Sequence, residues 1–218
     1  LNSPNSFGGI PLLYKTIAQN FNIELDGYVE VGFDAFEKIV NSVGGVEAEL
    51  TESEANYLNT TNYISKKKYR HVKVGKQKLN GNQALGYCRI RKGGTYTITG
   101  LTDDYGRTWR QRTVISAVFA KMKKQPLSKW LEVGNKVLSN IETDLDNDKI
   151  MSLMKDTVFL GTADVKQLQI PMEGYFTTSS DGAYLLSTNS SETDWSTNAD
   201  ILKNFIGMLY YQIDIGIW

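Results

Sequence analysis

Two hydrophobic periods alternate between Gly8 and Leu50, and this alternation restricts the possible folds more than any other feature of the chain. Gly8, Gly9 and Pro11 set up a helix start, and Leu12, Leu13, Thr16, Ile17 and Phe21 supply its apolar face at helical spacing. After a turn at Gly27, residues 28–33 (YVEVGF) switch to period two, with Glu30 opposite Val29 and Val31. The helical period returns in Phe33, Phe36, Ile39, Val40 and Val43 and is stopped by Gly44 and Gly45. Val46, Ala48 and Leu50 then give a short strand that is half exposed if Glu47 and Glu49 face water. Helix, strand, helix, strand specifies an α/β organisation rather than a sandwich. A chain of 218 residues can bury a sizeable core, and nothing in it marks a second domain, so residues 1–218 are expected to form one.

Further along, Thr51 and Glu54 make a capping box for a helix through Leu58. The lysine-rich piece NYISKKKYRHVKVGKQKLNG reads as a solvated excursion ending in an edge strand. A turn at Asn80 and Gly81 leads into a short helix or helical turn over 83–87. A long helix begins in DDYGRTWRQR and is broken by Pro126; helices over 127–138 and 146–160 follow, with Asp144 or Asp146 as the N-cap of the second. Residues 165–170 alternate as a strand up to Pro171. Two strand pieces, 174–177 and 183–186, flank the turn SSDG, 187–197 is a loop, and 199–209 is a closing helix. Residues 210–218 form an apolar tail with little pattern.

Formal net charge is zero, which argues against non-specific nucleic-acid binding. Only one cysteine, Cys88, and one histidine, His71, are present, so a thiolate or imidazole metal cluster within one chain is excluded. No run is long enough to span a bilayer, and no export signal precedes a cleavage site. The chain opens without Met in LNSPNSFGG, which reads as a loop inside a fold, and is expected to be a fragment.

Against that neutral background, residues 84–112 gather Arg89, Arg91, Lys92, Arg107, Arg110 and Arg112. A local excess of guanidinium in a neutral protein points to one particular anion rather than to coating a polyanion. In YCRIR, period two places Tyr87, Arg89 and Arg91 on one face of an extended segment. On the long helix, Arg107 and Gln111 continue the line of Ile115, Val118 and Met122, with Asp103 or Asp104 as cap or first-turn acid and Arg110 on a neighbouring face. Arg89, Arg91, Arg107 and Arg110 around a recess would suit a phosphate or pyrophosphate, gripped by paired N–H donors. The alternative is that these arginines serve solubility and weak surface ion pairs.

The pieces LNSPNSFGG, FDAFEKIVNSVGGVEAEL, LNGNQALGYCRIR and DDYGRTWRQR, in this order and spacing, resemble the LytR-CpsA-Psr family of bacterial cell-envelope proteins. The resemblance runs from Leu1 to about Leu186. It implies a central mixed β-sheet flanked by helices on both faces, with N-terminal strands missing here, and a long apolar channel for a polyprenyl tail. It also implies a phosphotransferase that attaches an undecaprenyl-pyrophosphate-linked glycopolymer, such as a teichoic acid or capsular polysaccharide, to peptidoglycan. Arg89, Arg91, Arg107, Arg110 and Gln111 would be the head-group ligands, with Asp104 orienting an arginine or activating the incoming hydroxyl. The apolar faces Leu12, Leu13 and Ile17, or Phe33, Phe36, Ile39 and Val40, and Ile115, Val118, Phe119 and Met122, would line the channel; plain core is the competing reading.

The same resemblance implies Mg2+ for the complete protein, an N-terminal membrane anchor and a place on the extracytoplasmic face of the membrane. The metal-holding aspartates are expected upstream of Leu1, so the fragment is expected to lack the metal site and, with it, catalysis. A non-catalytic polyprenyl-pyrophosphate or cell-wall polymer binding module is therefore the alternative. Transcriptional regulation fits less well, for want of a helix-turn-helix signal and net positive charge.

Overall fold

Val46, Ala48 and Leu50 point inward while Glu47 is exposed, so β2 (Val46–Leu50) forms as its period-two pattern requires. It pairs antiparallel with β3 (Gly75–Leu79), placing Glu47 opposite Lys78 and Glu49 opposite Lys76. The lysines of the basic excursion thus meet opposite charges on the solvent side of the ladder. This is a computed structural model; it describes residues 2–91, 94–138, 140–159, 166–180 and 185–214.

The chain divides into two compact units, Leu1–Asp26 with Lys166–Trp218, and Gly27–Val165. In the second, β1 (Val29–Val31) pairs antiparallel with β4 (Ile141–Thr143), and α2 (Phe33–Ser42) follows β1. Gly44 and Gly45 end this helix at φ of 74° and 83°, values that side-chain-bearing residues rarely adopt. Next come α3 (Glu52–Thr60), α4 (Gly81–Arg89), α5 (Asp103–Met122), α6 (Leu127–Leu138) and α7 (Asn147–Phe159). Thr51 and Glu54 form the reciprocal capping box of α3, and Asp146 Oδ1 accepts the Lys149 N–H at the start of α7. The main core gathers Leu50, Leu58, Ile64, Leu79, Tyr87 and Ile90 between β2, α3, α4 and α5.

The first unit holds α1 (Asn2–Phe21), β5 (Phe176–Thr178), β6 (Leu185–Ser187) and α8 (Ser196–Asp214), with α1 packed on α8 and β5 antiparallel to β6. Non-helical backbone at Gly8 and Gly9 divides α1, so the piece leading into Pro11 starts where the sequence places it, although residues before Gly8 are helical too.

The fold is α/β, as the alternating periods require. Among the described residues its strands form three two-stranded antiparallel ladders. Several local expectations are corrected. YCRIR is not extended through Arg89: α4 runs to that residue, because Asn80 and Gln83 form a second capping box and the helix dominates the short alternation. Residues 166–170 form no strand, since their alternation finds no pairing partner among the described residues. Strand β4 lies between two helices where no strand is legible, and α8 continues to Asp214, five residues past its expected end. Residue 165 and the tail residues 215–218 lie outside the described residues, as do Lys92, Leu160 and Ala183.

Candidate functional site

The amphipathic faces of α2, α5, α6 and α7 and the β1–β4 ladder surround an apolar cavity of about 540 Å3. Phe36, Ile39 and Val40 line it from α2; Ile115, Val118, Phe119 and Met122 line it from α5; Trp130, Val133 and Val137 close it from α6. Two of the three faces named for a channel thus border open space, and they also supply packed core: Val40 is buried in the main cluster, and Ala35, Met122, Val133 and Val137 form a second one. Leu12, Leu13 and Ile17 belong to the other unit and do not line the cavity. Phe33 is not among the lining residues either.

From Ile115 the α5 line passes to Gln111 one turn further toward the N-terminus and to Arg107 one turn beyond that, a distance of about 12 Å along the helix. The apolar wall therefore leads to polar side chains. Asp104 sits at that end and joins two arms: its Oδ1 lies 2.9 Å from Arg91 Nε and 3.1 Å from Arg107 Nη2. Neither guanidinium meets this oxygen in hydrogen-bond geometry, so the contact is an ion pair. Arg107 is 27% exposed, and its buried Nε has no hydrogen-bond partner among the described residues. Arg110 Nη2 and the Tyr87 hydroxyl are likewise buried without a hydrogen-bond partner among the described residues, so the unpartnered donors are not confined to one arginine. Arg91, at 55% exposure, is the open member of the group.

Arg89 closes α4, where the helix dipole favours a cation. Its guanidinium carbon lies 4.8 Å from the centre of the Phe33 ring and 5.5 Å from that of Tyr63, which hold the side chain through cation–π contacts. The end of α4 is fastened to α5 from both sides of this residue. Gln111 Nε2 donates to the Cys88 carbonyl at 3.4 Å, and Arg110 Nη1 to the Ile90 carbonyl at 3.0 Å. Such carbonyls at a helix end need outside donors, and here α5 supplies them.

Arg110 departs from the expected ligand set. It is fully buried, and its Nε donates to Glu54 Oε1 at 2.7 Å, with Glu54 equally buried. The other Glu54 oxygen accepts the Thr51 N–H of the capping box. Arg110 thus positions the end of α4 rather than standing at the recess, because a buried carboxylate captures it. Sequence reading missed Glu54 in this role, since the capping box already accounted for that residue; it also missed Phe33 and Tyr63 as a platform for Arg89. Burial pushes the Cys88 thiol up to about 12, against a smaller opposing effect of Arg110. Burial, with the nearby Glu54 charge, likewise raises the Tyr87 hydroxyl. Cys88 is thus a protonated core residue rather than a nucleophile.

For magnesium, no three His, Cys, Asp or Glu side chains converge among the described residues, and Asp104 is already engaged by two guanidiniums. The described residues do not fit a magnesium site.

No arginine lines the cavity itself; the α5 stripe that lines it ends at Ile115, and Arg107 lies two turns further along the same helix. The chain belongs to the LytR_cpsA_psr family, whose description matches residues 1–201. It is 32% identical over 159 residues to the polyisoprenyl-teichoic acid–peptidoglycan teichoic acid transferase TagU of Enterococcus faecalis, covering 72% of this chain and 46% of that protein. To the corresponding transferase TagV of Bacillus subtilis it is 28% identical, over 66% of this chain and 35% of that one. The chain thus spans about half the length, or less, of these curated relatives. A crystal structure of a Streptococcus agalactiae protein superposes with a TM-score of 0.70 at 23% identity, covering 93% of this chain and 64% of that one, which shows the shared fold. TagT bound to LI-WTA superposes with a TM-score of 0.54 at 26% identity, over 71% of this chain and 53% of the other.

Proposed function

We propose that the protein acts in the bacterial cell envelope as a phosphotransferase, moving a glycopolymer from a polyprenyl-pyrophosphate carrier onto peptidoglycan. The observation that carries this reading is the continuity of the α5 face, apolar from Met122 to Ile115 and then polar through Gln111 to Arg107. A polyprenyl tail suits the cavity, whose lining is built of aliphatic, aromatic and methionine side chains. A pyrophosphate suits the end where Arg91 and Arg107 meet and where Arg107 Nε is unpartnered. The names of the relatives, polyisoprenyl-teichoic acid–peptidoglycan teichoic acid transferases, support the same substrates. A membrane-embedded carrier implies work at the membrane surface, although no described helix is long and apolar enough to cross a membrane.

In this reading the acceptor hydroxyl attacks the phosphorus next to the glycopolymer, and the polyprenyl phosphate leaves. Negative charge then accumulates on the leaving phosphate and on the equatorial oxygens. Guanidiniums fixed in place before the reaction neutralise it without reorganising. Asp104 keeps Arg91 and Arg107 together while the site is empty, and the phosphate displaces part of that pairing.

Transfer from a polyprenyl-pyrophosphate saccharide by the protein tests the reading. Arg89→Ala, Arg91→Ala and Arg107→Ala should each lower the rate by about 100-fold or more with the fold retained. Undiminished transfer in all three variants would overturn the assigned site.

A further inference from the structure

A second cleft lies in the unit formed by Leu1–Asp26 and Lys166–Trp218, with no residue in common with the site above. Its volume is about 290 Å3, at the small end of ligand-sized clefts. The end of α1 contributes Gln19, Asn20 and Asn22, and the turn entering α8 contributes Asp194 and Trp195; Asp200 and Lys203 follow on α8 itself. We propose that this cleft binds a pyranose ring of a neutral glycan.

The composition supports the proposal. Three carboxamides and two carboxylates provide donors and acceptors in the mixture that vicinal hydroxyls and N-acetyl groups satisfy. Trp195 adds an apolar ring with one N–H, suited to the C–H face of a sugar. The side chains of Gln19, Asn22, Trp195, Asp200 and Lys203 make no hydrogen bond or ion pair with another described residue. The Asn20 amide nitrogen is used by the Thr16 carbonyl, while its oxygen has no partner among the described residues. One Asp194 oxygen accepts the Ser196 N–H at 2.9 Å, which fixes this carboxylate at the start of α8.

Charge selects the ligand. Asp194 and Asp200 outnumber Lys203, so a phosphodiester polymer would bring like charge into the cleft, whereas an uncharged saccharide would not. The binding stands on the cleft alone. Its assignment to the glycan acceptor rather than the polyanionic donor rests on the transfer reaction proposed above.

The test titrates the 218-residue chain with N-acetylglucosamine oligomers and, in a parallel arm, with polyglycerol phosphate, following binding by NMR shift changes. The oligomers should bind at millimolar concentration and shift the Trp195 indole and the Gln19 and Asn22 amides. Trp195→Ala should weaken binding at least about ten-fold. Because Trp195 is half-buried beside the start of α8, the double variant Gln19→Ala with Asp200→Ala at exposed positions should give the same loss in a chain that keeps its fold. Arg107→Ala should leave saccharide binding unchanged while lowering transfer by about 100-fold or more, which separates failure of this site from failure of the other. No saccharide shift, preference for the polyglycerol phosphate, or loss of binding in Arg107→Ala would each overturn the proposal.

Discussion

Arg110 and Glu54 are each fully buried and touch at 2.7 Å, so neither can lose its partner without leaving a charge in the core. Removing one member of such a pair costs about 3–5 kcal/mol, whereas removing both costs much less than the sum. Glu54→Ala and Arg110→Ala should therefore each lower unfolding free energy by about that amount in denaturant titration, and the double variant should recover part of it; strict additivity would contradict the pairing. The pair also explains Gly106, where a Cβ would come within 3.0 Å of the Leu101 carbonyl and 3.2 Å of Arg110 Nη1. At this scale the arginine cluster was legible as a cluster. The division of labour within it was not, because whether an arginine faces a ligand or a buried acid depends on Glu54, which lies more than fifty residues away in sequence.

Helix α4 shows how an element carries function. Asn80 and Gln83 cap it reciprocally, and its first turn docks on α2 so closely that a Cβ at Gly81 would sit 2.3 Å from the Glu37 carbonyl oxygen. Gly81 N–H donates to Asn41 Oδ1 and Asn82 Nδ2 to Glu37 Oε1, fixing the axis that delivers Arg89. Loss of an N-cap acceptor costs about 1 kcal/mol, so Asn80→Ala should destabilise the protein by that amount, measured by thermal or urea unfolding with far-UV dichroism. An unchanged midpoint would show that docking alone holds the helix. The long periodic segments α2, α5, α6 and α7 were legible because many positions repeat one signal. Strand β4, three residues long, offers no such repetition and exists only because β1 lies beside it. Residues 166–170 make the converse point, for they alternate well but find no partner among the described residues.

For the molecule as a whole, the informative feature is the volume its helices leave unfilled. Apolar faces normally close against one another; those of α2, α5 and α6 do so around Ala35, Met122, Val133 and Val137, yet together with α7 they leave about 540 Å3 open. A guest that binds only the folded state adds stability, about 2.7 kcal/mol at one hundred times its Kd. A soluble polyprenyl phosphate analogue should accordingly raise the melting temperature of the protein, and Val118→Trp, which fills the cavity from α5, should remove the effect; a shift persisting in that variant would place the guest elsewhere.

The sequence by itself determined the α/β class, the helices with sustained period, the capping box of α3 and the presence of a guanidinium-rich segment, because each depends on residues within a few turns of one another. Tertiary structure alone decided that Asp104 joins Arg91 to Arg107, that Arg110 turns inward to Glu54, that Arg89 rests on Phe33 and Tyr63, and that two of the apolar faces border open space as well as core. Those outcomes depend on contacts between distant segments, and local periodicity contains no term for them.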